Sequence, residues 1–237
     1  MKNSTKEIIN EINTYRDESK AAFLPRFFKT GKGEYGEGDQ FIGVVVPNLR
    51  IVAKKHFEAD FDTLRELLAS PYHEYRLTAL LALTYRYAKL KDHASRETCV
   101  NFYVSQVDSI NNWDLVDLSC YKILGHWLFD KDKQLLYDWA KENHLWKQRI
   151  AMISCMHFVK QGEFKDALAI ADLLQHHPHD LIHKAVGWIL REIGKEDEQL
   201  LIDYLTPRYK EMPRTMLRYA IERFEEGKRK AFLNSEI

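Results

Sequence analysis

From about residue 47 to the C-terminus, apolar side chains recur at intervals of three and four. The stretches are 60–69, 72–88, 95–108, 112–129, 132–143, 145–160, 163–174, 179–194, 196–206 and 212–226. That spacing puts the apolar residues on one face of an α-helix, and no sustained period-two run competes with it. An all-α chain is expected. The breaks are short and local: Pro71, Asn111 and Asn112 as helix caps, Asp130, Gly162, the His176-His177-Pro178 turn, Pro207 and Pro213.

The helices repeat in pairs, a shorter one followed by a longer one. Arg76, Asp114, Arg149 and Lys184 near the fronts of the longer helices are spaced by 38, 35 and 35 residues, which suits a HEAT-like solenoid. One such pair cannot bury both of its faces, so neighbouring pairs must stack, and equivalent positions then line one concave surface. The expected layout is a single domain over 1–237: an N-terminal helix and Gly-rich loop in 1–46, repeats over about 47–226, and a basic C-terminal tail.

At 237 residues the chain is long enough for a substantial core. Its apolar runs fall short of the roughly 18 residues of a spanning helix, and the N-terminus lacks a signal-peptide core, so a cytoplasmic location and no membrane are expected. Cys99, Cys120 and Cys155 are few, far apart and set in apolar helical patterns, which makes them core residues. The formal net charge is zero, so any polyanion site must be a basic surface balanced elsewhere. Between Leu205 and Ala231 eight basic residues face four acidic ones. Arg26, Lys29, Arg50, Lys54 and Lys55 would supply the opposite end of a groove.

Several motifs lead nowhere. Gly31-Lys32-Gly33-Glu34-Tyr35-Gly36 matches Gly-x-Gly-x-x-Gly literally, but no strand precedes it and acids stand where phosphate would approach. It is expected to be a flexible loop. His176-His177-Pro178-His179 has no carboxylate or cysteine at ligand spacing and is expected as a solvated turn. Nucleophile-elbow and Walker patterns are absent.

Asp117 is harder to dismiss. Asp114 falls in the first turn after Asn112, where the helix dipole favours an acid, but Asp117 lies a turn deeper among Leu115, Val116, Leu118, Ile123 and Leu124. Two readings stay open: a buried ion pair with Arg149, or a functional carboxylate facing a cleft. Trp113 is one turn from Asp117, and Trp188 shares a face with Lys184 and Arg191. An aromatic flanked by cations suits nucleic acid, whereas Trp127, Trp139 and Trp146 are expected in the core.

In Asn111-Asn112-Trp113-Asp114-Leu115-Val116-Asp117, Leu145-Trp146-Lys147-Gln148-Arg149 and Lys184 through Glu192, the chain resembles the AlkD-like family of DNA alkylation repair glycosylases. The resemblance implies a right-handed solenoid of antiparallel HEAT-like helix pairs with a concave groove for duplex DNA. It further implies excision of cationic N3- or N7-alkylated purines without base flipping. Asp117 would be the catalytic carboxylate, Trp113 and Trp188 would pack on the lesion's deoxyribose, and Arg149 would anchor the site near the backbone. Arg191, Lys184, Arg50 and Lys54 would bind DNA. The implied partner is double-stranded DNA with alkylated purines, met by a monomer without a cofactor. Val45 and Val46 stand where the family often has polar residues near the DNA backbone. A non-catalytic binder of damaged or branched DNA and a HEAT-type protein scaffold are the competing readings.

Overall fold

The computed structural model describes residues 4–237, and among these there is no strand. The fold is all-α, as the periodicity requires. Two compact units divide the chain at residues 123 and 124.

The first unit contains α1 (Thr5–Asn13), α2 (Glu18–Phe27), α3 (Val46–Lys55), α4 (Phe61–Leu68), α5 (His73–Lys89), α6 (His93–Ser105) and α7 (Trp113–Asp117). Most of these starts carry an oxygen at the cap: Ser4, Asp17, Asp60, Asp92 and Asn112 each accept a bond from an amide just inside their helix. The long helix α5 is the spine. It is buried along most of its length, and α3, α4, α6 and α7 all pack on it.

The second unit contains α8 (His126–Leu128), α9 (Gln134–Lys141), α10 (Leu145–Val159), α11 (Lys165–Leu174), α12 (Asp180–Glu196), α13 (Glu198–Leu205), α14 (Arg214–Ala220) and α15 (Glu226–Asn234). Short and long helices alternate from α9 to α12 as expected, but the long helix expected over 212–226 is only the short α14, so α13 and α14 are both short. The long helix α10 packs on α9, α11 and α12, and α12 in turn packs on α11, α13 and α14. Gly187 permits the close approach of α14 to α12: a Cβ there would lie 2.5 Å from the Met216 carbonyl oxygen. No helix among the described residues is long and apolar enough to cross a membrane.

Several expectations need correction. The helix expected over 112–129 is broken after Asp117, and a π-helical turn occupies Tyr121–Gly125 before α8. The apolar period runs through this stretch, so the change in winding leaves no mark on the pattern. The basic tail includes a helix, α15, with Phe232 fully buried. Trp139 and Trp146 lie in the core, but Trp127 is half-exposed with Lys131 over its ring at 4.2 Å. The His176–His179 turn is built into the fold, with the His177 ring bonded to Gln148 at 2.9 Å.

The Gly-rich segment is also anchored, where a flexible connector was expected. The amides of Gly31 and Gly33 donate to Glu34 and Glu37 at 2.8 Å, so its acids occupy the donors a phosphate would need. Gln40 then exchanges backbone bonds with the start of α5, accepting from His73 and donating to Pro71. Beyond it, the buried Glu74 carboxylate accepts from the amides of Ile42, Gly43 and Val44. Those amides would otherwise be buried and unpaired.

Gly43 makes this turn possible: its φ is +83°, and a Cβ would sit 1.9 Å from the Asp17 carbonyl oxygen. Gly33 has a similar φ of +78° with open space around it. Gly33→Ala should therefore cost only the left-handed penalty of about 1–2 kcal/mol. Gly43→Ala should cost clearly more, because the backbone of α2 must also move. Chemical denaturation of the two variants checks this; equal losses would mean that the close approach at Gly43 carries no weight.

Candidate functional site

On α7 the pattern of burial separates structural residues from accessible ones. Asn112, Asp114, Leu115 and Val116 are buried, while Trp113 and Asp117, one turn apart, both remain half-exposed. Asp117 thus has neither the full burial of a core ion pair nor the dipole site that first-turn acids occupy.

Asp114 carries far more than a favourable place at a helix start. Its carboxylate accepts from the Leu115 amide at 2.9 Å and bonds the His73 Nε2 at 2.9 Å. The His73 Nδ1 is 3.2 Å from Asp39, which also receives the Arg76 guanidinium at 2.6 Å and the Asn112 amide at 3.0 Å. All five side chains are buried. Two carboxylates thus meet two cationic groups away from water, an arrangement that is stable only because each charge is matched and hydrogen-bonded.

Burial works against charge on His73, but Asp114 and Asp39 outweigh it and raise the pKa to about 9. Burial likewise opposes ionisation of Asp39, and His73, Arg76 and Asn112 hold its carboxyl below the usual range. Sequence reading missed Asp39, His73 and Arg76 as a group. Asp39 precedes His73 by 34 residues and Asp114 by 75, so no local spacing could have joined them.

An aromatic stack covers this network. Phe28 lies parallel to Trp113, with ring centroids 5.3 Å apart and planes 16° apart. On its other contacts it meets Phe41 at 5.0 Å and His73 at 4.7 Å. Phe27 meets the Trp113 ring edge-on at 5.9 Å. The orientation of Trp113 is therefore set by neighbours that are themselves held, and one of its faces is already taken.

In the second unit, α12 shows the same division. Ala185, Val186, Gly187, Ile189 and Leu190 are buried, whereas Lys184, Trp188 and Arg191 form a half-exposed stripe along one helix face. Lys184 pairs with Asp180 at 2.7 Å, and Arg191 pairs with Glu222 and with Glu192. Arg149, on α10, is only 4% exposed, and its guanidinium donates to the Leu181 carbonyl at the start of α12. It ties those two helices together. In the first unit, Arg50 is half-buried and Lys54 is exposed with its ammonium 5.7 Å from the Tyr85 ring. Val45 is exposed at the start of α3, which has no side-chain cap bond.

No group of three His, Cys, Asp or Glu side chains among the described residues is placed to hold a metal ion. The three cysteines are buried, as their apolar settings indicate.

A family model described as "DNA alkylation repair enzyme" matches residues 8–224. Among solved structures, the fold is similar to one described as "Predicted DNA alkylation repair enzyme from Enterococcus faecalis". The TM-score is 0.68 at 14% identity, covering 89% of this chain and 97% of that one. No curated protein matches the sequence.

The His73 cluster makes stability depend on pH in a defined direction. Its folded pKa of about 9 exceeds the ordinary 6.5, so its charge stabilises fully below pH 6.5, and the benefit is lost as pH rises through 9. The difference corresponds to roughly 3 kcal/mol. Urea denaturation of wild type and His73→Gln at pH 6 and pH 10 isolates this contribution. The wild type should lose stability over that interval relative to the variant; parallel losses would show that His73 is not held charged.

Proposed function

Because the chain belongs to the DNA alkylation repair enzyme family, whose model covers residues 8–224, we propose that it hydrolyses the N-glycosidic bond of cationic N3- and N7-alkylated purines in duplex DNA. One observation carries the reading most directly. On α7, otherwise buried, the residues left accessible are Trp113 and Asp117, and on α12 Trp188, Lys184 and Arg191 are among those left accessible; these are residues the resemblance singles out.

The chemistry suits so small a set of groups. An N3- or N7-alkylated purine carries a positive charge, so when the bond from C1′ to nitrogen breaks, the electron pair neutralises the base and no acid is needed. The remaining demand is on the sugar, which develops oxocarbenium character. Asp117 supplies the opposing charge and orients the water that attacks C1′, while the π-faces of Trp113 and Trp188 pack against the deoxyribose. Arg149 acts through the backbone it holds at Leu181. Lys184, Arg191, Arg50 and Lys54 contact phosphates, and the protein works as a monomer, leaving the lesion without a base-reading pocket.

Asp117→Asn should keep the fold and duplex binding while lowering excision by roughly 100-fold or more, the scale on which removal of one transition-state contact acts. Release of 3-methyladenine and 7-methylguanine from methylated DNA, followed by chromatography, measures this. Equal excision by variant and wild type would remove Asp117 from the reaction.

The same mechanism restricts the lesions accepted. With no acid to protonate the leaving base, uracil, hypoxanthine and 1,N6-ethenoadenine should stay attached under conditions that release the cationic purines. Efficient release of any neutral base would overturn the mechanism.

A further inference from the structure

Helix α2 has no buried residue, yet it carries two phenylalanines. Phe23 is 61% exposed and Phe27 50%. The rings stack on each other with centroids 6.2 Å apart and planes at 28°. Phe27 also meets Phe28 edge-on at 5.1 Å and Trp113 at 5.9 Å. The pair is therefore the open end of the aromatic ladder that runs inward through Phe28 to Phe41 and His73. A ladder rooted in the core holds its outermost rings in place without covering them.

The stretch of chain that carries these rings has charge of one sign. From Ser19 to Gly33 there is no acidic residue, against Lys20, Arg26, Lys29 and Lys32. Lys20 is paired with Asp17. Arg26 and Lys29, which flank Phe27, are exposed and form no ion pair among the described residues. Exposed aromatic faces beside unpaired cations are the arrangement that holds a base by stacking and its phosphates by charge.

We propose that Phe23 and Phe27, with Arg26 and Lys29, form a stacking platform for an unpaired nucleobase of DNA beside the sugar site at Trp113. This rests on the reading of the chain as a DNA-binding repair enzyme. The ligand is polyanionic and aromatic at once, which an apolar peptide is not. An intact duplex keeps its bases paired and offers only phosphate to Arg26 and Lys29, so the platform distinguishes disrupted from intact DNA.

The test uses the full chain and two short duplexes of one sequence, fully paired or with a single bulged adenine, with affinity read by fluorescence anisotropy. The wild type should prefer the bulged duplex. Phe23→Ala/Phe27→Ala should lose roughly tenfold in affinity for it while keeping affinity for the paired one. Arg26→Gln/Lys29→Gln should weaken both alike and reduce the salt slope by about two. A double phenylalanine variant with unchanged discrimination overturns the platform while leaving the proposed function standing. Sedimentation showing that the wild type self-associates through these rings overturns the platform and the monomeric state proposed above, while excision of alkylated purines still tests the reaction separately. A wild type that binds neither duplex overturns the proposed function and the platform with it. All four substituted residues are exposed, and melting temperatures close to wild type should accompany these readouts.

Discussion

A protonated histidine between two buried carboxylates fixes how the Gly-rich loop, α5 and α7 meet in the first unit. His73 opens α5, Asp114 opens α7, and Asp39 ends the Gly-rich loop; Arg76 and Asn112 complete the set. Remove any one charge and another is left buried without its partner, which costs far more than the pair itself contributes. The cluster thus specifies one arrangement of loop, α5 and α7 more than it adds net stability. The orientation of Trp113 follows from it, because the ring stacks on Phe28, and Phe28 rests against His73.

Helical periodicity explains why accessible chemistry comes in stripes. Packing on several neighbours buries most of a long helix and leaves a narrow band open, so residues three or four apart are exposed together. On α12 that band holds Lys184, Trp188 and Arg191; on α7 it holds Trp113 and Asp117. A carboxylate one turn from a tryptophan, neither submerged nor freely solvated, combines a charge with an aromatic face. That combination matches what a developing cation on a sugar requires.

What could be read in the chain beforehand was what spacing encodes. The helices, their alternation of short and long, the cap at Asn112 and the buried cysteines all follow from local pattern. What escaped depends on partners distant in sequence. Asp114 looked fully explained by the helix dipole, yet it also binds a histidine 41 residues away. The glycine segment looked like a loose connector because its own residues do not reveal that Asp39 is drawn inward. Helix α15 was hidden by its charge, since only Phe232 marks a buried face in that segment. The π-helical turn at Tyr121–Gly125 leaves the apolar rhythm intact, so only coordinates reveal it. Trp127 looked like core because an apolar neighbourhood does not say whether a long lysine will serve as its cover.

A zero net charge fits a protein proposed to work on a polyanion, and several of its cations are already engaged by carboxylates. Lys184 is held by Asp180, Arg191 by Glu222 and Glu192, Arg208 by Asp172 and Lys228 by Glu198. Pairs of this exposure are worth only about 0–1 kcal/mol each, so a DNA phosphate can replace the carboxylate at little cost. The exchange nevertheless subtracts from the gain of every contact, and the carboxylate left behind repels the strand. Under the proposed function, this lowers the non-specific affinity for DNA. Arg26 and Lys29, like Arg50 and Lys54, form no ion pair among the described residues, so no such exchange precedes their contact with phosphate. On the same reading, the end of α2 is therefore one place where a strand gains electrostatic attraction without displacing a carboxylate, beside the aromatic rings that would hold an unpaired base next to Trp113.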